Sequence, residues 1–162
     1  MSVKIKYCII AFSSLFVVAC SNYEGEEMPL YAESEIFGVW VNTVPAQPRG
    51  YYVNELTFNA NGAFVSGTNF YGIHDGQAAN ELSGYFEYYG NYVLSAKNIY
   101  FVSKQTVSWD SFTRKNPITS VKDEVIFESC TYKIDKNTLE LSYITYPADA
   151  PVVTTRRYIR SE

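Results

Sequence analysis

A histidine beside an aspartate, His74-Asp75, and two glutamates four apart, Glu124 and Glu128, are the side chains of this 162-residue chain best suited to moving protons. Neither pair makes a catalytic site on its spacing. His74 is the only histidine, neighbours in an extended segment point to opposite sides, and a zinc ion there would have carboxylates as its only other ligands. Glu124 and Glu128 have the spacing to share one face of a strand, as the paired carboxylates of glycoside hydrolysis would need, but they read more simply as solvent-facing strand residues. No Ser-His-Asp signature stands out, and no glycine-rich phosphate loop follows a strand. The chain therefore predicts no catalytic residue, no metal and no cofactor.

The cysteines carry more information. Lys4 and Lys6 precede YCIIAFSSLFVVAC, residues 7–20, a run with no charge. That is a basic start, a short apolar segment and a small residue, Ala19, before the expected cut. A bilayer-spanning helix needs about 20 apolar residues, more than this run supplies, so a spanning anchor is the weaker reading. The ending Val17-Val18-Ala19-Cys20 resembles the lipobox of bacterial lipoproteins, with Val17 in place of the commoner leucine. The resemblance implies a diacylglyceryl thioether on Cys20 and cleavage that leaves Cys20 as the acylated, palmitate-type N-terminus. Each buried methylene contributes about 0.8 kcal/mol, and two or more chains hold a protein stably on a membrane. Glu24, Glu26 and Glu27 follow closely and resemble the acidic export signal of Bacteroidota surface lipoproteins. The expected organisation is a signal peptide over 1–19, a flexible tether over 20–34 and one domain over 35–162. The expected address is the cell envelope, on the outer membrane.

Composition limits the partners. Residues 1–19 hold two of the 13 basic residues and none of the 17 acidic ones, so the remaining 143 residues carry a net charge of −6. An acidic chain has little attraction for nucleic acid, which is excluded as the main partner. With Cys8 lost and Cys20 acylated, Cys130 stands alone, so no internal disulfide forms; it reads as a small buried core residue.

Aromatic residues make up 17% of the chain, and 15 of them are tyrosines, which favour strands. Period-two alternation dominates from residue 36, with no long helical stripe. A first strand spans 36–44. Residues 50–67 read as a hairpin turning at Asn61-Gly62, with Leu56 and Phe58 on one face and Phe64 joining them across the turn. Residues 69–81 read as a loop, and 81–96 as a second hairpin around Gly90-Asn91, with Phe86 and Tyr88 on one face and Tyr85, Glu87 and Tyr89 on the other. Further strands are expected over 97–109 and 121–135, the latter with Ile126, Cys130, Tyr132 and Ile134 in phase. The last two cover 138–146, with Leu139, Leu141 and Tyr143 inward, and 152–160. Eight or nine antiparallel strands with short connections predict an all-β fold, a single up-and-down barrel or a sandwich.

Three further features line up. Gly38-Val39-Trp40 opens the first strand, LTFNANGAF (56–64) is followed by GYFEYYGNYVLS (84–95), and Arg156-Arg157-Tyr158-Ile159-Arg160 ends the last strand. Together they resemble the lipocalin-like domains of bacterial lipoproteins, within the calycin group, over residues 35–160. The resemblance implies that Trp40 plugs one end of the barrel under an arginine of the final strand. Guanidinium is flat and always charged, so it stacks well on indole. Val153, Arg157 and Ile159 share the apolar parity, which favours Arg157 as that partner and turns Arg156 and Arg160 outward.

An eight-stranded barrel is just wide enough to be filled by side chains or to hold one small ligand. Inward Phe58, Phe64, Phe86, Tyr88, Tyr132 and Tyr143 are expected to line or partly fill it. The expected function is non-enzymatic, in a monomer: binding of a small apolar or amphipathic molecule. The alternative is a filled barrel contacting an envelope protein or glycan through surface aromatics, Tyr85, Tyr89 and Tyr100 among them. Trp109, Phe112, Arg114 and Lys115 form a loop suited to gripping a partner at a barrel mouth.

Overall fold

A computed structural model describes residues 35–113 and 115–162; Cys20, the leader and the tether lie outside the described residues. Nine strands follow one another: β1 (Gly38–Pro45), β2 (Tyr51–Phe58), β3 (Ala63–Tyr71), β4 (Leu82–Ser95), β5 (Asn98–Asp110), β6 (Ile118–Val125), β7 (Glu128–Asp135), β8 (Thr138–Thr145) and β9 (Val152–Arg160). Every pairing is antiparallel. Because β6 and β7 both pair with β5, they act as one broken arm, and the sheet closes as an eight-position barrel. Closure is made by two registered pairs, Trp40↔Arg160 and Val41↔Ile159. Above them Asn42 donates its side-chain amide to the carbonyl of Arg157 at 2.9 Å, a side-chain substitute for the ladder.

The barrel has unlike ends. The tight turns at 59–62, 96–97 and 136–137 gather at the end where Trp40 lies; the longer connections 46–50, 72–81, 111–117 and 146–151 gather at the other. In the first turn Gly62 takes φ +79° and its amide bonds the carbonyl of Asn59, while Asn61 keeps an ordinary φ and caps Ala63. Asn61-Gly62 thus marks the turn as expected, with the left-handed position on glycine alone.

Two sequence readings change. Gly90-Asn91 is no turn: residues 82–95 form one strand, and the chain reverses after Ser95 with Ala96 at φ +49°. Gly90 instead faces a β-bulge in β5, where the register slips by one residue at Lys104. A Cβ at Gly90 would lie 2.0 Å from the carbonyl oxygen of Val102, so glycine is needed for close backbone approach, not for reversal. The predicted strand 121–135 is also broken, at Ile126-Phe127, with Ser129 at φ +50° just beyond. Glu124 and Glu128 therefore sit on different strands. Glu124 is 3.9 Å from the Lys122 ammonium, and Glu128 accepts a 2.7 Å bond from the Tyr146 hydroxyl.

Alternation then sorts the inner face. In the closed half the inner side chains are large and dry. Phe58 pairs directly with Phe64 across the first hairpin, and ring contacts run from Phe58 to Tyr92 (5.0 Å) and Phe101 (5.8 Å), then through Phe127 (5.0 Å) to Tyr143 (4.6 Å). Leu139 and Leu141 of β8 are fully buried on the same side. The bulge moves β5 one step in phase, so beyond it Thr106 and Ser108 stand inward opposite Tyr88 and Phe86. The open half of the interior is consequently far more polar than the closed half.

Candidate functional site

The closed end is built on Trp40. Gly38 at φ +119° turns the chain into β1, and a Cβ there would meet the Arg160 guanidinium at 3.2 Å. Two residues on, the Trp40 indole is fully buried and donates its N–H to the Ile36 carbonyl at 2.8 Å. The Arg160 guanidinium lies over the ring, 4.1 Å from its centroid, and donates to the carbonyls of Phe37 and Glu35.

Arg157 is therefore not the covering arginine. Its side chain points outward, 68% exposed, and pairs with Glu140 at 3.1 Å. The parity of β9 is opposite to the expected one: Tyr158 is buried and shares the inner face with Arg156 and Arg160, while Val153 and Ile159 stand outside. β-Branched residues suit a strand on either face, so their apolarity did not mark the inside. Arg160→Ala is expected to cost about 2–4 kcal/mol, through lost stacking and orphaned carbonyls. Arg157→Ala is expected to cost at most about 1 kcal/mol, as for an exposed ion pair. Urea melts of the two variants read the difference; equal losses would refute the assignment.

The open half is organised by Asn54, only 3% exposed. It lies in phase with Leu56 and Phe58, which forces its amide inward. Its Nδ2 donates to Asn42 Oδ1 at 3.0 Å; its Oδ1 accepts from Thr68 Oγ1 at 3.0 Å and from Arg156 Nη1 at 3.1 Å. Arg156 enters from β9, opposite Leu141 in register, and lies beside the Tyr158 phenol. Burial pushes the Tyr158 phenol up to about 12, against the opposing pull of Arg156. Burial also raises the Tyr88 phenol, with Glu124 adding to the effect, and raises Tyr143, so all three act as neutral hydroxyls at physiological pH. The packed aromatics end at this polar floor.

The six expected lining residues divide accordingly. Phe58, Phe64 and Tyr143 are buried in the closed half and fill it. Tyr132, opposite Leu141 on β8, is half-buried at the same end. Phe86 and Tyr88 face the open half, their rings edge-to-face at 4.8 Å. Phe86 nonetheless stays 36% exposed, and Ile118, which shares its side through Ser108, 50%. Inner side chains of that size would be dry if the described strands filled the barrel, so this half is open to solvent. Asn54 and Thr68 were absent from the sequence reading, and Arg156, expected outward, instead points inward onto Asn54. Their signal was polar residues in phase with buried ones: Asn54 with Leu56, and Arg156 with Tyr158.

The remaining reactive groups have structural neighbours. Cys130 is buried, and its thiol is pushed up to about 12 by burial, which makes it a poor nucleophile. His74 places Nε2 3.6 Å from Asp110 Oδ1 and its ring 5.5 Å from Phe112. Asp110 in turn accepts the amides of Phe112 (2.7 Å) and Thr113 (3.1 Å), which shapes the rim loop. Among the described residues no group of His, Cys, Asp and Glu is placed to hold a metal ion. On the outer wall, the Tyr85 and Trp109 rings meet tilted, with centroids 6.0 Å apart, beside a shallow hollow of ≈ 320 Å³ that Lys115 and Pro117 also border. In comparisons with family models, curated proteins and solved structures, the chain matches none.

Proposed function

We propose that this chain is a lipid-anchored envelope lipoprotein whose lipocalin-like barrel binds one small amphipathic molecule in its open half. The observation that carries the reading is the division of the interior. A packed aromatic half ends at a polar floor, and above it the inward Phe86 remains 36% exposed. A molecule entering from the open end meets aromatic walls at Phe86 and Tyr88 and the polar groups of Thr68 and Arg156, which are held on the buried Asn54. Ligand sites combine those two ingredients, apolar lining with a few fixed polar groups. The role is retention of a molecule, with no reaction assigned to it.

Native mass spectrometry of the delipidated domain purified from its own host tests this. The expected result is a single small-molecule adduct on the monomer, which also identifies the ligand. A bare polypeptide mass under conditions that preserve other complexes would refute it.

A second reading rests on the outer wall. The adjacent Tyr85 and Trp109 rings, with the cation of Lys115 beside the hollow, suit contact with a glycan or an envelope protein. It gains if the adduct is absent.

A further inference from the structure

Arg156 is a cation without an anion. Its guanidinium lies among neutral groups: Nη1 donates to Asn54 Oδ1, and the phenols of Tyr158, Tyr143 and Tyr52 are its electrostatic neighbours. Among the described residues no carboxylate lies within ion-pair distance of it. Glu124, the acid that faces Tyr88, is next to Lys122, and Glu140 is next to Arg157. Arg156 is half-buried, and taking even part of a charge out of water costs free energy unless an opposite charge or a full set of hydrogen bonds replaces the water. A guanidinium has five N–H donors, and the contacts of Arg156 use only part of that fork.

We infer that Arg156 is the anchor for the headgroup of the bound molecule, and that this headgroup is a carboxylate. The inference rests on the proposed ligand-binding reading and supplies the chemical class. One uncompensated inner cation calls for one negative charge. A planar carboxylate matches the guanidinium fork with two parallel bonds. Asn54, itself bonded by Thr68, orients the fork from one side, and the Tyr158 phenol lies beside the guanidinium. The tail of the molecule then extends toward Phe86 and the open end.

The test uses the full-length chain produced without acylation. Calorimetric titration with decanoate and with 1-decanol compares one tail with and without the charge. Decanoate is expected to bind at least about tenfold tighter, the size of a charge-assisted pair. That ratio is expected to fall to near one in Arg156→Gln, to survive in part in Arg156→Lys, and to be unchanged in Arg157→Gln. A purely structural Arg156 would lower the melting temperature of Arg156→Gln and leave the ratio intact. A wild-type ratio near one, or a ratio that persists in Arg156→Gln, overturns the inference.

A second measurement needs no variant. Benzoate titrated into the wild-type chain is expected to shift the Arg156 guanidinium NMR resonance saturably, and those of Arg157 and Arg160 far less. A flat Arg156 response overturns the anchor. If benzoate registers while neither decanoate nor decanol binds, the anion site stands and the amphipathic-ligand reading falls. Equal binding of decanoate and decanol with no benzoate response has the opposite meaning.

Discussion

Trp40→Ala is expected to lower the unfolding free energy by about 3–5 kcal/mol, the range for removing a large buried aromatic. The indole is fully buried, so its removal leaves a void at the closed end of the barrel. Two further losses add to the void. The Ile36 carbonyl loses its 2.8 Å partner, and the Arg160 guanidinium loses the face on which it lies at 4.1 Å. Trp40 also pairs with Arg160 at one of the two registered positions that join β1 to β9, so the damage falls on the seam that closes the sheet. Trp40→Phe restores much of the volume but not the N–H donor, and is expected to fall between wild type and alanine. Urea denaturation followed by tyrosine fluorescence measures both. An alanine variant with an unchanged midpoint would remove the end plug from the account of stability.

On the proposed lipid anchorage, the largest change in location is expected from Cys20→Ser, which should move the chain from the membrane fraction to the soluble fraction. Only a thiolate is nucleophilic enough at neutral pH to form the thioether with a diacylglyceryl group; a serine hydroxyl is not. Each methylene of the missing chains removes about 0.8 kcal/mol of partitioning, so the loss is all or none at the level of fractionation. The acidic remainder of the chain, at −6, offers no electrostatic compensation on an anionic surface. Ultracentrifugation and immunoblotting of wild-type and variant cells read the result. Recovery of the serine variant with the membranes would count against lipidation at Cys20.

Much of the barrel was legible locally. Alternation placed Leu139, Leu141 and Tyr143 inside, and all three are buried. Asn61-Gly62 marked a reversal, and residues 135–137 another, where Lys136 takes φ +54°. These features depend on residues a few positions apart, and the chain carries them wherever it folds. Gly90 shows where that logic stops. Followed by asparagine between two aromatic stretches, it has the composition of a turn, yet it lies mid-strand because Val102, twelve residues on, needs the space.

Local residue order already dictated antiparallel strands, most of their reversals, and which side chains share a face. Which face of the last strand is the inside came from ring closure, which put Arg160 on Trp40 and turned Arg157 to solvent. It alone brought Asn54 and Arg156 to 3.1 Å across 102 positions of sequence. The physical reason is one of range. Alternation is a property of a single strand and assigns residues to two sides without saying which is dry; burial is conferred by the neighbours that ring closure brings, and those come from the far end of the chain.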